Sequence, residues 1–524
     1  MHRLVIALVT LIGLTGAFVV GTVLFLSGAS TDRAASLAPE GTAAYVNVYL
    51  QPSAGQHMNL GELIGRLPGF ADDAALDDKI DQIAQRFLGE TGIDYEADLK
   101  PWIGSQVAVA AWPDDAAEIG SRAVVIAEVR DLAAAETALP SLLSTDPGDF
   151  TTETYNGAEI HAADTGAYAF VDEMLVAGQD ADSVRAAIDA GRGASLADRA
   201  DFRATLEGLP ADHLASAFVD LAGFAEAAGG DEIGGLSTAG AVLVAESEGL
   251  RLSGTAPFDA DEAAPSARAR FALGTEPSSL VDWMPAGTVA EAVVFGLRQT
   301  LEDAESVLPV TPEGEEVVGL LQSVRALAAF GLGINLDTDV LPLLDREVGV
   351  SITGLEGDLP SGQLLLRPSD PDGAAGLLDA LATKLEDAGA TRTATTLDGF
   401  EDIEVTLLSL PDTVDLAWAV VDGIVIIGFT SGDVAAAISA HESGETLGAD
   451  EAYRSTFEVA GERAGTEAYL DVPAIVELLG ADAALPDDAR DILLQIGSFA
   501  MTAASHDDHI EFHAVLTVED PETD

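Results

Sequence analysis

Tyr168-Ala-Phe-Val-Asp-Glu-Met-Leu-Val-Ala-Gly178, followed by Val184 and Ile188, returns as Trp418-Ala-Val-Val-Asp-Gly-Ile-Val-Ile-Ile-Gly428, followed by Val434 and Ile438. In each stretch two apolar runs flank a polar pair, Asp172-Glu173 or Asp422-Gly423, the signal of a tight hairpin. An apolar pair at helical spacing comes next, so each block reads as a hairpin followed by a helix. A pattern this specific occurring twice marks an internal duplication, which is sought before any local motif.

The match extends in both directions. Downstream, Leu196, Phe202-Arg203 and Phe218-Val219-Asp220 return as Leu447, Tyr453-Arg454 and Tyr469-Leu470-Asp471. Upstream, Pro39, Gly41 and Thr42 lead into an apolar run, as do Pro285, Gly287 and Thr288. Gly92-Ile93-Asp94, Asp98, Pro101 and Val107-Ala108-Val109 return as Gly333-Ile334-Asn335, Asp339, Pro342 and Val348-Gly349-Val350. Each copy closes on a candidate hairpin, at 241–255 and 499–517. The spacing between landmarks drifts, as loop insertions allow at small cost. The matched positions are Gly, Pro, Asp and large apolar residues, which serve turns, caps and core, so what the copies share is a fold. Arg203 and Arg454 are the exceptions weighed for function, against the commoner role of pairing a carboxylate or helix end.

The expected fold class is α+β: two tandem copies of a largely antiparallel sheet with helices, after one N-terminal transmembrane helix. The expected divisions are 1–30 (transmembrane anchor or uncleaved signal), 31–36 (tether), 37–258 (first repeat), 259–283 (linker), 284–517 (second repeat) and 518–524 (acidic tail). In the first copy, 43–50, 107–111, 124–129, 167–171 and 174–178 read as strands, and 60–67, 77–88, 132–143 and 183–190 as helices. Helices are expected over one face of each sheet.

The chain carries 89 acidic against 24 basic residues, a net charge of −65, and its lysines are Lys79, Lys100 and Lys384. The acids are spread along the chain. Such a surface repels itself in dilute buffer. Near 1 M salt the Debye length falls to about 3 Å and most of that repulsion is screened. The simplest account of the charge is a protein adapted to high salt, the rival being an acidic surface that collects cations such as calcium, though no calcium loop is visible; either way it disfavours nucleic acid as a partner. The absence of cysteine excludes disulfides, thiol nucleophiles and Cys-based metal centres.

Residues 4–26 form an uncharged, mainly apolar run. At about 1.5 Å per residue a helix there covers roughly 35 Å, enough for a hydrocarbon core of roughly 30 Å. With Arg3 at its start, the expected placement is single-pass in the cytoplasmic membrane with the later domains outside. The alternative is secretion after cleavage near Gly28-Ala29-Ser30.

No GxGxxG, phosphate loop, HExxH or G-x-S-x-G is present. His441-Glu442 lacks the second His, and Gly235-Leu236-Ser237-Thr238-Ala239 lacks the final Gly. The one cluster with ligand chemistry is His506-Asp507-Asp508-His509-Ile510-Glu511-Phe512-His513. On a strand, His509, Glu511 and His513 share one face, a donor set able to hold zinc. A polar solvent face explains the same alternation, and the first copy has Gly249, Arg251 and Ser253 there. His57, His161 and His213 read as isolated surface groups. No cofactor is implied.

The blocks Leu37-Ala-Pro-Glu-Gly-Thr-Ala-Ala-Tyr-Val46, Gly92-Ile-Asp with Asp98-Leu-Lys-Pro-Trp-Ile-Gly104, and Val171-Asp with Leu175-Val-Ala-Gly178 resemble the bacterial family called domain of unknown function 3352. The resemblance implies a membrane-anchored protein and carries over no catalytic or binding residue. The second copy departs from it where Leu341-Pro342-Leu343 replaces Lys100-Pro101-Trp102. The function expected is a non-enzymatic, membrane-anchored extracytoplasmic protein with duplicated binding or envelope-associated domains. A carrier of an apolar ligand and a metal-dependent hydrolase are the alternatives.

Overall fold

The structure is a computed structural model and describes residues 32–67, 85, 93–113, 122–143, 150–223, 235–261, 263, 265–307, 319, 322–356, 359–397, 399–409, 415–461, 463–480, 490 and 493–519. The run at 4–26 and the expected helix at 77–88 lie outside these residues, apart from Gln85. No helix among the described residues is long and apolar enough to cross a membrane. The chain divides into two compact units, 1–258 with 518–524, and 259–517.

The first unit contains β1 (Ala44–Tyr49), α1 (Ala54–Arg66), β2 (Ile103–Trp112), β3 (Arg122–Val129), α2 (Leu132–Leu143), β4 (Thr151–Tyr155), β5 (Ala158–Ala163), β6 (Gly166–Val171), β7 (Met174–Gly178), α3 (Ala181–Ala190), α4 (Ala200–Leu206), β8 (Ala215–Asp220), β9 (Thr238–Ala245) and β10 (Gly249–Pro257). The strands pair in the order β4-β5-β6-β7-β3-β2-β1-β8-β9-β10, antiparallel throughout.

The second unit holds α5 (Pro265–Phe271), β11 (Ala290–Phe295), β12 (Glu347–Glu356), β13 (Leu359–Arg367), α6 (Pro371–Asp387), β14 (Thr391–Leu397), β15 (Phe400–Ser409), β16 (Asp415–Val421), β17 (Ile424–Gly428), α7 (Ser431–Ser443), α8 (Glu451–Ala460), β18 (Thr466–Asp471), α9 (Val472–Leu479), β19 (Ile496–Ser505) and β20 (His509–Val518). Its strand order is β14-β15-β16-β17-β13-β12-β11-β18-β19-β20, the order of the first unit position for position. Large antiparallel sheets with helices make this an α+β protein.

Both faces of each sheet are covered by helices, against the expectation of one. In the first unit, Leu60, Leu63 and Ile64 of α1 and Leu139 and Leu143 of α2 pack on Val125, Ala127 and Leu175. On the other face, Val184, Ala187 and Ile188 of α3 and Phe202 of α4 pack on Val124, Ile126 and Val176. The run Val124-Val125-Ile126-Ala127 is therefore buried throughout, as in strands enclosed on both sides. The second unit repeats this: α7 and α8 cover Leu365, Ile424 and Ile426, while α6 covers Leu366 and Val425.

The hairpin-and-helix block folds alike in both units. Asp172 (φ 53) and Asp422 (φ 50) take the left-handed turn position, the latter followed by Gly423 (φ 79). Asp180 caps α3 by accepting from the Ser183 N–H, and Thr430 with Asp433 forms a capping box on α7. Each strand leading into these helices ends in a glycine under close approach. A Cβ on Gly178 would lie 2.9 Å from Ser183 Cβ, and one on Gly428 would lie 2.4 Å from Asp433 Cβ.

Three boundaries differ from the sequence reading. The tether 31–36 carries a 3-10 turn, Ala34–Ser36, with Ala34 and Ala35 buried in the core. The linker 259–283 holds α5 and a 3-10 turn, Leu280–Trp283, whose Leu280, Val281 and Trp283 are core residues of the second unit. Small and apolar residues there fill space under the sheet, where composition alone reads as a loop. Of the tail at 518–524, Val518 and Glu519 are described, and Val518 closes β20.

Candidate functional site

The β19–β20 hairpin turns over His506-Asp507-Asp508 and is closed by the His506 N–H donating to the His509 carbonyl at 2.8 Å. The turn stacks the His506 and His509 rings, with centroids 4.7 Å apart and planes at 18°. Glu511 reaches both ways: its Oε2 lies 3.4 Å from His506 Nε2 and its Oε1 lies 3.1 Å from His513 Nε2. His509 Nδ1 sits 2.7 Å from an Asp508 carboxylate oxygen, and this contact holds the Asp508 carboxyl below the usual carboxylate range.

Among the described residues, His506, His509 and Glu511 each offer a ligand atom within 4.8 Å of the others. Of the expected trio His509, Glu511 and His513, the first two belong to this group. His513 instead touches Glu511 through the other oxygen and lies beside Gly461. Strand alternation put 509, 511 and 513 on one face but gave no account of the turn, which brings His506 back over the end of the hairpin. At the corresponding place in the first unit, Arg251 pairs with Glu246 at 2.6 Å and donates to Ser253 at 2.7 Å.

A second set of polar groups escaped the sequence reading because it is buried. Tyr45, Asn47 and Tyr49 alternate along one face of β1, and Tyr45 donates to Asp32 at 2.7 Å. Burial pushes the Asp32 carboxyl up and the Tyr45 hydroxyl well up. His213 packs edge-on against Tyr49 at 5.3 Å, and burial pushes its imidazole down. Its Nδ1 lies 2.7 Å from the Pro210 carbonyl, which places the proton on Nδ1 and leaves Nε2 a buried acceptor with no partner among the described residues. His213 is thus a core-edge group, and His161 is stacked on Tyr168 at 4.8 Å. The expectation of isolated surface histidines fails for both.

The registers place Glu291 on β11 where Tyr45 stands on β1: Tyr45 lies opposite Phe218, and Glu291 opposite Tyr469. Glu291 is 3% exposed, and neither carboxyl oxygen has a hydrogen-bond partner among the described residues. Burial, then the nearby Glu467 carboxyl, pushes it from an ordinary 4.5 up to about 9, so it is protonated at neutral pH. Glu467, fully buried, pairs with Arg463 at 2.8 Å, and burial raises it too. Arg463 lies over the Tyr453 ring at 5.1 Å. The Tyr453 hydroxyl is buried without a partner among the described residues.

The other residues singled out by sequence have local roles. Arg203 donates to the Ala197 carbonyl at 3.3 Å, a helix-end contact. Gly235 (φ 81) sits in the turn that precedes β9. His441 stacks on Trp283 at 3.8 Å.

Over residues 4–518 the chain matches the family described as a protein of unknown function, DUF3352, and it belongs to that family. No curated protein matches it. Solved structures it is similar to include crystal form I of TP0453 (9% identity, TM-score 0.24, covering 44% of this chain and 80% of that one). Crystal form III of TP0453 is another (10% identity, TM-score 0.24, covering 44% and 81%).

Proposed function

We propose that this chain is a membrane-anchored extracytoplasmic protein that presents two related α+β domains, descended from one by duplication, for binding or for an envelope role in high salt. One observation carries the reading. The two units share strand order, turn and cap positions, and glycine approaches, while the polar residues at matched places are exchanged. Gln106 and Glu128, next in sequence to the Val107–Ala127 pair of β2 and β3, stand where Glu347 and Arg367 face each other beside the Val348–Leu366 pair of β12 and β13. Retained scaffold with exchanged polar chemistry fits domains that present surfaces better than a pair of enzymes keeping one reaction.

The apolar run at 4–26 and the charge of −65 support the anchor and the salt adaptation. Protease added to intact cells tests the topology: the domains are expected to be cut from outside, and a protected C-terminal portion overturns the placement. Far-UV circular dichroism tests the salt adaptation: structure lost in dilute buffer is expected to return on the order of 1 M KCl.

The apolar-ligand alternative has its own observation. Val324, Leu327 and Phe330 follow one another at intervals of three residues, and Phe330 is 93% exposed. A fluorescent fatty acid is the probe for it: binding that disappears in Phe330→Asp favours a carrier, and no binding to the full chain removes that reading.

A further inference from the structure

We propose that the tip of the β19–β20 hairpin binds one borderline divalent cation, Zn2+ by donor type, through His506, His509 and Glu511. Three ligand atoms from these side chains already lie within 4.8 Å of one another. Ligand atoms at about 2.0–2.1 Å from a tetrahedral ion are roughly 3.4 Å apart, so the site closes by an ångström or so. His506 and His509 sit beside a turn and keep partial exposure, which leaves that movement open to them.

The surroundings are arranged as a metal site needs. Asp508 engages His509 Nδ1 at 2.7 Å, which fixes the ring and directs Nε2 outward as the donor. His513 holds the Glu511 oxygen that faces away from His506, so the carboxylate presents its other oxygen to the ion. The stacked rings hold the two imidazoles side by side at the tip of the hairpin. Two imidazoles and one carboxylate select Zn2+, Ni2+ or Co2+ over Mg2+ and Ca2+, which prefer oxygen alone. A fourth position is left to water. The general acidity of the surface attracts any cation, whereas this set discriminates by donor type. The first unit has Glu246, Gly249 and Arg251 where the second has His506, His509 and Glu511, so it offers no imidazole at the matched places and carries a positive charge in place of the ligating carboxylate.

The test uses the full-length chain, stripped with a chelator and dialysed against ZnCl2 in KCl on the order of 1 M, where diffuse attraction is screened. One Zn2+ per chain is expected to remain bound under a hundredfold (about 100-fold) excess of Mg2+. His506→Ala with His509→Ala is expected to lose that ion, and Asp508→Asn, which keeps all three ligands, to weaken it by about tenfold or more. The proposal is overturned if Mg2+ displaces the Zn2+, if the double variant binds as the parent does, or if the double variant misfolds and Asp508→Asn binds unchanged.

Discussion

The place on the sheet occupied by Tyr45 in the first unit and by Glu291 in the second shows how one architecture carries two electrostatic solutions. In the first, the buried hydroxyl of Tyr45 donates to Asp32 from the chain just before the sheet. In the second, the same register position holds a carboxyl with no hydrogen-bond partner among the described residues, near a buried Arg463–Glu467 pair. Along the neighbouring strands the basic partner changes origin. Arg33, preceding β1, pairs with Glu128 of β3, whereas Arg367 of β13 itself pairs with Glu347. The backbone frame tolerates either arrangement because turns, caps and apolar layers define it.

The largest expected difference comes from breaking the ion pairs. Arg463→Met leaves the Glu467 charge buried and alone, and is expected to cost the second unit about 3–5 kcal/mol. Adding Glu467→Leu should recover most of that loss. Arg33→Met, at a pair with substantial solvent access, should cost under about 1 kcal/mol. Denaturant titration of the three variants measures the contrast, and equal losses at Arg33 and Arg463 would erase it.

Next in size are the glycines that the units share. Gly178→Ala and Gly428→Ala each drive a Cβ into the first turn of the following helix and should cost about 3 kcal/mol in either unit. A loss in one unit alone would show that the two helix approaches differ.

The third contrast is in pH. The folded second unit keeps a proton on Glu291 that the unfolded chain releases above pH 4.5, so stability falls as pH rises from there toward about 9. Between pH 6 and 8 the loss is about 2–3 kcal/mol, and Glu291→Gln should remove that slope. His213 acts with the opposite sign. Burial keeps the His213 imidazole neutral in the folded first unit while the unfolded chain gains a proton below 6.5, so stability falls on acidification through that region. His213→Asn should flatten that response, the smallest effect. Chemical denaturation across pH, variant against parent, reads both.

Much of the frame was legible in the sequence because its determinants are local. The helix at Leu132–Leu143 and the strand at Met174–Gly178 fall where periodicity put them. Strands β4 and β5 were missed although Asn156-Gly157 announces their turn, with φ 48 and 83, the strongest short hairpin signal there is. β4 is polar and exposed, so hydrophobic alternation was weak on that arm of the hairpin. The helices at 132–143 and 183–190 were legible, but their placement on opposite faces of the sheet was not, because helical periodicity marks an apolar side without saying which sheet face it meets. The site was only half visible. Alternation marked His509 and Glu511, but His506 joins them through a turn, and the buried Glu291 was one acid among 89 until the registers placed it beneath Tyr469.

Amide hydrogen exchange of the full chain in molar KCl, read peptide by peptide, tests most directly whether the two units are one architecture. Equivalent units predict the slowest exchange at matched places, in β2, β3 and β7 of the first and in β12, β13 and β17 of the second, with β4 and β14 fastest among the strands. Slow exchange centred on unmatched strands in the two units would contradict it.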